Sequence, residues 1–365
     1  MEYRKLPHGG EDIGVIGFGT SYIGRADEKE IEATIALALE MGINYIDLAS
    51  ADARPFPCFG RVVGGAREKV HYQIHFGAIY KDGPYARDYN LEAVKRSIDW
   101  QLEQLRTDYI DVGFIHCVDE QAELEELLSG GVIDHIKALK RQGVVRHIGL
   151  STHTPAIAHR VLDLGLPDVL MFSLNPAYDY RQDGDYSDGT LDERHELYRR
   201  CEALGVGISV MKTYAGGQLL DEKTSPFHRA LTPYQCIQYA LDRPGVMTVL
   251  PGFRNREDVR RTLGFFEAEA AERDYSVIGS LTPEDTRGRC VCCNHCQPCP
   301  VGLEIGLINK YYDLARHGDG QARDHYLHLS RTAEACVGCG RCSRRCPFQV
   351  NQAARMAEIR AYFGR

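Results

Sequence analysis

No apolar stretch of this 365-residue chain approaches the roughly 20 residues that a bilayer-spanning helix needs, so a membrane protein is not expected. Nor is there an excess of positive charge: the formal net charge is −8 at pH 7, which argues against a general nucleic-acid footprint. The opening residues, Met1 to Pro7, hold no apolar core of an export signal, so a cytoplasmic, reduced protein without disulfides is expected. No Gly-x-Gly-x-x-Gly follows the first candidate strand, which speaks against a Rossmann site. Nothing suggests disorder, since 44% of residues are hydrophobic and 26% charged. The length suits one large domain plus a small one.

What the chain does have is cysteine at one end. Nine of its 13 cysteines lie from residue 290 onwards, in two runs that each end in Cys-Pro. The second run, Cys336, Cys339, Cys342 and Cys346 before Pro347, has the C-x2-C-x2-C-x3-C-P spacing of bacterial ferredoxins. Three thiolates on one tight loop hold three irons of a 4Fe-4S cube, and the fourth cysteine of such a run serves the other cluster. The first run follows the same rule with one residue fewer before its last cysteine. The economical pairing is therefore Cys290, Cys293 and Cys296 with Cys346, and Cys336, Cys339 and Cys342 with Cys299. Cys292 is left over as a spacer. Zinc is the competing reading, but zinc ribbons use two C-x2-C pairs and four ligands, whereas each run here offers four cysteines. Arg341, Arg344 and Arg345 make the second loop basic, which either attracts an acidic electron donor or compensates the charge of a cluster. Cys58, Cys117, Cys201 and Cys236 sit in apolar surroundings and read as small buried hydrophobes.

Residues 1–280 alternate between short apolar or β-branched runs and helical periodicity, the pattern of a parallel sheet with crossover helices. Eight candidate strands recur: Val15–Gly19, Asn44–Ala49, His71–Gly77, Tyr109–His116, Val145–Ser151, Val169–Asn175, Val206–Met211 and Met247–Pro251. Helical stretches lie between them, such as Asp27–Met41 with Ile31, Ile35, Ala38 and Leu39 on one face, and Asn90–Leu105 opened by an asparagine cap. Eight such units predict a (β/α)8 TIM barrel, and Tyr3–Ile13 reads as a hairpin that plugs its lower end. Residues 281–365 then form a small, mainly helical ferredoxin-like domain, with an amphipathic connection over Ile305–Ala335.

Barrel active sites gather at the C-terminal ends of the strands. The polar residues expected there are Asp47 and Asp52, His75, His116, Ser151 and Thr152, Ser173 and Asn175, Lys212, and Gly252 with Arg254. Any one of them taken alone is more often an ordinary hydrogen-bonding residue than a functional one.

With Gly17-Phe18-Gly19-Thr20, Asn44-Tyr45-Ile46-Asp47, Phe114-Ile115-His116, Ile148 to His153, Pro251 to Asn255 and the two cysteine runs in this order, the chain resembles the aldo-keto reductases, in the branch with a C-terminal 4Fe-4S domain. The resemblance covers nearly the whole length and implies the barrel fold and carbonyl reduction with a nicotinamide cofactor. The family's Asp and His match Asp47 and His116. Its proton-donating Tyr and its Lys do not: the Tyr position is Asp52 and the Lys position is His75. A carboxylate and imidazole set suits general acid-base work, with Asp47 pairing with His75 so that the imidazolium becomes the acid. The expected catalytic residues are thus Asp47, Asp52, His75 and His116.

For the cofactor, the resemblance implies that Ser151 and Thr152, with Ser173 nearby, hold a nicotinamide carboxamide and that Tyr214 stacks on the ring. The segment from Gly252 to Asp258 would receive the adenosine phosphate, and Lys212 is counted in the same set. An arginine fork at Arg254 suits a 2′-phosphate, which favours NADP(H). Ser173 stands where the family has Gln. The leading expectation is an iron-sulfur oxidoreductase acting on a small carbonyl or hydroxy compound, sugar-like in character, with NADP(H), two 4Fe-4S clusters and an external carrier of the ferredoxin or flavodoxin type. Two alternatives stay open: a redox-neutral lyase or epimerase on the same scaffold, and a cluster-dependent electron-transfer or sensor protein.

Overall fold

A computed structural model describes residues 1–80, 85–180, 187–281, 288, 290, 293–316 and 322–364. The chain opens with an antiparallel pair, β1 (Tyr3–Lys5) and β2 (Asp12–Gly14), turned through Gly10 at a positive φ. The strands β3 (Phe18–Gly19), β4 (Tyr45–Asp47) and β5 (His71–Phe76) follow. A short hairpin of β6 (Ala78–Ile79) and β7 (Ala86–Arg87) interrupts the alternation. Then come β8 (Ile110–Ile115), β9 (Val145–Thr152), β10 (Val169–Ser173), β11 (Gly207–Met211) and β12 (Val246–Val249).

The eight long-range strands form one parallel sheet in the order β3-β4-β5-β8-β9-β10-β11-β12. Its ends meet through the parallel bridges Ile16 to Val249 and Gly19 to Gly252, closing a (β/α)8 barrel. The closure needs glycine: a Cβ on Gly17 would stand 2.8 Å from the Tyr45 carbonyl oxygen, and one on Gly19 2.8 Å from that of Pro251. All eight expected strands are present. The first is shorter than its pattern, because residues 15–17 run along β12 through single bridges only.

Local chemistry sets the helices. Asp27 caps Glu28–Glu40 by accepting from the Glu30 amide at 2.8 Å, and Asn90 caps Leu91–Leu105 in the same way. On the first of these Ile31, Ile35 and Ala38 are wholly buried, each isoleucine contributing about 1.5–3 kcal/mol, whereas Leu39 is only half-buried at the edge. Leu6 and Ile13 of the opening hairpin share an apolar cluster with Tyr45, Val112, Phe114, Val169, Met171, Met247 and Leu250. The hairpin thus plugs the barrel from below with side chains.

Beyond the barrel, Leu303, Ile305, Ile308, Tyr312, Tyr326, Met356, Ile359 and Phe363 build a second apolar cluster with Cys296 and Cys342. Tyr326 stacks on Phe363 at 4.1 Å. Within the amphipathic connection lie the helices Ile305–Arg316 and Ala322–Leu327. This tail rests on the barrel. Phe348 and Val350 belong to the barrel's own core, Phe348 stacks on Tyr180 at 6.1 Å, and the ion pairs Lys310 to Glu202 (2.5 Å) and His295 to Asp274 (2.7 Å) cross the seam.

Candidate active site and cysteine cups

Parallel register explains how distant residues meet at the mouth. Asp47 of β4 lies level with Gln73 of β5, and His75 of β5 lies level with Phe114 of β8. Each polar residue therefore stands one pleat above the last, and His116 follows just past the end of β8. The result is a hydrogen-bonded chain. Asp47 Oδ1 meets His75 Nε2 at 2.8 Å, His75 Nδ1 meets His116 Nδ1 at 3.0 Å, and His116 Nε2 meets the Tyr85 hydroxyl at 2.7 Å. Gln73 donates to Asp47 Oδ1 at 2.7 Å while its own oxygen accepts from Tyr45 at 2.7 Å, so the inner end is fixed. Asp47 and His75 are 3% and 1% exposed, whereas Tyr85 is 39% exposed and faces solvent at the outer end. Burial first, then the charges of His75 and Arg87, hold the His116 imidazole well below the usual histidine range. Burial pushes the Tyr85 phenol up to about 12.

Tyr85 was invisible in the sequence as a site residue. It comes from the β6–β7 hairpin, and only the return of that hairpin over the mouth brings it to His116. The expected role of Asp52 is corrected: its carboxylate is held by the Arg54 amide (2.9 Å) and Nε (3.1 Å), lies below the usual carboxylate range through those bonds, and does not join the chain.

A cavity of about 540 Å³ opens at this end of the barrel, with Asp47, His75 and His116 in its wall. Of the residues expected at a cofactor, Ser151, Lys212, Tyr214, Gly252, Arg254 and Asp258 line it. Thr152 and Ser173 do not: both are fully buried behind the wall, Thr152 donating to Asp119 at 3.0 Å. At the far end one carboxylate, Asp258, holds two guanidinium groups, Arg254 (2.7 and 2.9 Å) and Arg261 (2.6 Å). Those three groups leave a net positive charge where an anion would be received. Thr213, also in the wall, buries a hydroxyl with no partner among the described residues. These features fit a dinucleotide phosphate and a polar ring substituent.

The cavity wall also contains Cys117 and His153. Cys117 is corrected from buried hydrophobe to half-buried wall residue, with a positive φ of 49° and its sulfur 3.6 Å from Asp119. The other three, Cys58, Cys201 and Cys236, are buried as expected.

In the tail, one small cavity is lined by Cys290, Cys293, Cys296 and Cys346, and another by Cys299, Cys336, Cys339 and Cys342. These quartets match the pairing expected from the spacing, and Cys292 lies outside the described residues. A tetrahedral zinc site would hold its sulfurs within about 3.8 Å of one another. Among the described residues no three tail cysteines come within 4.8 Å of one another. Thiolates on separate irons of one cube are spaced more widely, so the cups fit a cluster better than a single ion. Backbone N–H groups of Gly338 and Val350 point at Cys336 and Cys346 sulfurs at 3.4 Å each. Burial, with neighbouring thiols, pushes Cys293 and Cys296 up to about 12.

The family model described as "Aldo/keto reductase family" matches residues 14–234. An L-galactose dehydrogenase of Arabidopsis thaliana is 28% identical over 243 residues, 63% of this chain and 70% of its own. An aldo-keto reductase of Bacillus halodurans in holo form superposes with a TM-score of 0.63 at 22% identity, covering 78% of this chain and 97% of that one. An aldo/keto reductase of Klebsiella pneumoniae, in complex with NADP and acetate, gives a TM-score of 0.55 at 16% identity over 78% and 96%. The two structural likenesses speak to the fold.

Proposed function

The chain belongs to the aldo/keto reductase family and is an oxidoreductase; from that premise we propose that it is an iron-sulfur member acting on a small, sugar-like carbonyl or hydroxy compound with histidine and aspartate in place of the family's Tyr-Lys pair. The hydrogen-bonded chain from Asp47 to Tyr85 carries this reading. With both rings neutral, every contact has one donor: Tyr85 O–H donates to His116 Nε2, His116 Nδ1–H to His75 Nδ1, and His75 Nε2–H to Asp47. Adding one proton at the outer end reverses the two outer bonds and leaves the charge on His75 beside Asp47. In that state His116 Nε2–H donates to the Tyr85 oxygen, and the phenolic hydrogen is free to turn to a substrate oxygen. Delivering it returns the chain to the neutral state, with each group passing on one proton and regaining one. Asp47 orients and stabilises, His75 stores the proton, and His116 and Tyr85 carry it to the mouth.

NADP(H), when bound, supplies or accepts a hydride, and Ser151, Lys212, Tyr214, Gly252, Arg254 and Asp258 are the residues that would hold it. The Klebsiella fold relative carries NADP, and the two-arginine end of the cavity supports the same choice here. The cysteine quartets support two 4Fe-4S clusters in a domain over residues 281–365, which when loaded pass single electrons. The exposed Cys339 beside Arg341 and Arg344 then suits an acidic carrier of the ferredoxin or flavodoxin type. The sugar-like substrate rests on the plant relative, whose name gives L-galactose.

Anaerobic purification with iron and sulfide quantification, then NADPH titration in the presence of aldoses, tests the reading. Two clusters' worth of iron and NADPH oxidation that collapses in His75→Ala and His116→Ala are expected. Full turnover in both variants would overturn the acid-base assignment, and bound NADP with no net consumption would favour redox-neutral chemistry.

A further inference from the structure

Two groups of three potential metal ligands lie within 4.8 Å of one another among the described residues: Glu28, Glu32 and Cys58, and Cys117, Asp119 and His153. The first already holds a cation. The Arg61 guanidinium bonds Glu32 at 2.5 Å and Glu28 at 2.8 Å, with Cys58 sulfur at 3.3 Å. In the second, three different ligand types converge on one side of the cavity, from the loops that follow β8 and β9.

The distances suit a tetrahedral ion. Asp119 Oδ2 lies 3.6 Å from Cys117 Sγ and 2.9 Å from His153 Nδ1. A tetrahedral zinc with ordinary bond lengths sets those separations at about 3.6 and about 3.4 Å, and the sulfur and imidazole lie within 4.8 Å of each other. The other carboxylate oxygen is pinned. Asp119 Oδ1 accepts from the His153 amide at 2.6 Å and from the Thr152 hydroxyl at 3.0 Å, which turns Oδ2 towards the sulfur and the imidazole. This explains why Thr152 stands behind the wall. Cys117 and His153 both face the cavity, beside His116, so a fourth position opens onto the space where substrate would lie.

We propose that Cys117, Asp119 and His153 bind one zinc-class divalent cation at the barrel mouth, with the fourth position open to a substrate oxygen. Thiolate and carboxylate together offer two negative charges against the ion's two positive ones, and the mixed sulfur, nitrogen and oxygen set excludes magnesium and calcium as preferred guests. Three protein ligands with one open place are the arrangement of a catalytic rather than a structural zinc. The site stands independently of the cofactor and cluster assignments.

Zinc alone is the probe. Full-length chain with its iron content verified before and after is titrated with Zn²⁺ by calorimetry, in parallel with Cys117→Ser, Asp119→Asn and Thr152→Val, and zinc-soaked crystals are measured at the zinc absorption edge. One ion per chain is expected, with an anomalous peak between Cys117, Asp119 and His153. Affinity should fall at least tenfold in Cys117→Ser and Asp119→Asn, and roughly 10–100-fold in Thr152→Val, which keeps all three ligands. Zinc should also raise the melting temperature of the wild type but not of Cys117→Ser, which separates loss of the site from misfolding. Equal affinity in wild type and Asp119→Asn, or a peak confined to the tail cysteines, would overturn the proposal.

Discussion

The barrel mouth and the cysteine tail are held in opposite ways. At the mouth, Asp47 and His75 stand on strands whose backs are packed into the barrel's main core, and every contact along their chain is a directional hydrogen bond. In the tail, eight thiol groups line two small cavities over a minor apolar cluster to which Cys296 and Cys342 themselves belong. If the proposed clusters join these thiols, removing them should weaken the tail, whereas emptying the mouth should leave the barrel intact.

If the proposed clusters are present, the sharpest break between the two comes from stripping their iron. Anaerobic chelation, or Cys342→Ser, should abolish hydrogen-exchange protection over the helices Ile305–Arg316 and Gln352–Phe363 while the barrel strands keep theirs. Unchanged protection in the tail would mean that its apolar cluster suffices alone. At the mouth, His75→Ala and His116→Ala should each lower turnover by about 10²–10⁴-fold with the barrel's far-UV signal preserved. Asp47→Ala should in addition cost about 1–3 kcal/mol in urea unfolding, because the Gln73 amide and the His75 ring lose a buried acceptor.

Acid reports on the mouth in another way. Burial pushes the Asp119 carboxyl up, but the His153 hydrogen bond and charge and the Thr152 hydroxyl outweigh it and hold it at about 2. Its folded value lies below the unfolded one of about 3.9, so its stabilisation of about 2 kcal/mol is complete above pH ~4 and is lost as the pH falls through ~2. Asp119→Asn should flatten that limb of the acid-unfolding curve. A smaller effect is expected of Arg254→Ala, whose side chain is 62% exposed: stability unchanged, NADPH affinity down roughly tenfold, NADH affinity unaffected. Smallest in stability is Tyr85→Phe, expected within ~0.5 kcal/mol of wild type, yet it should move a limb of the pH-rate profile if the hydroxyl lies on the proton path. An unmoved profile would confine the path to the two histidines.

Much of this was legible in the residues, for unequal reasons. The eight strands followed from periodicity, the plugging hairpin from the glycines at its turn, and the cap Asn90 from side-chain chemistry; the cap Asp27 was not singled out. Three cysteines of each quartet followed from local spacing; the fourth comes from the other run, roughly 40 to 50 residues away, and was assigned by the ferredoxin rule that the last cysteine of a run serves the other cluster. Asp47, His75 and His116 could be singled out as strand-end residues, but their hydrogen-bonded order depends on sheet register and pleat, which no local pattern encodes. Asp52 has the right residue type next to the right strand, and an arginine two residues on takes it away. Thr152 fails as a cavity residue because alternation along β9 turns it from the mouth that Ser151 faces; Ser173, on the Met171 face of β10, is fully buried beneath the cavity.

By itself, then, the amino-acid sequence determined what depends on short-range patterns: the alternation of elements, the Asn90 cap, the close cysteine triplets of each run, and Arg254 and Arg261 within a turn of Asp258. Only the tertiary structure decided what depends on convergence: that a hairpin returns Tyr85 to His116, and that His153 meets Cys117 and Asp119 at one edge of the cavity. Residues brought together by barrel closure lie on separate strands, and their spacing along the chain carries no record of their distance in space.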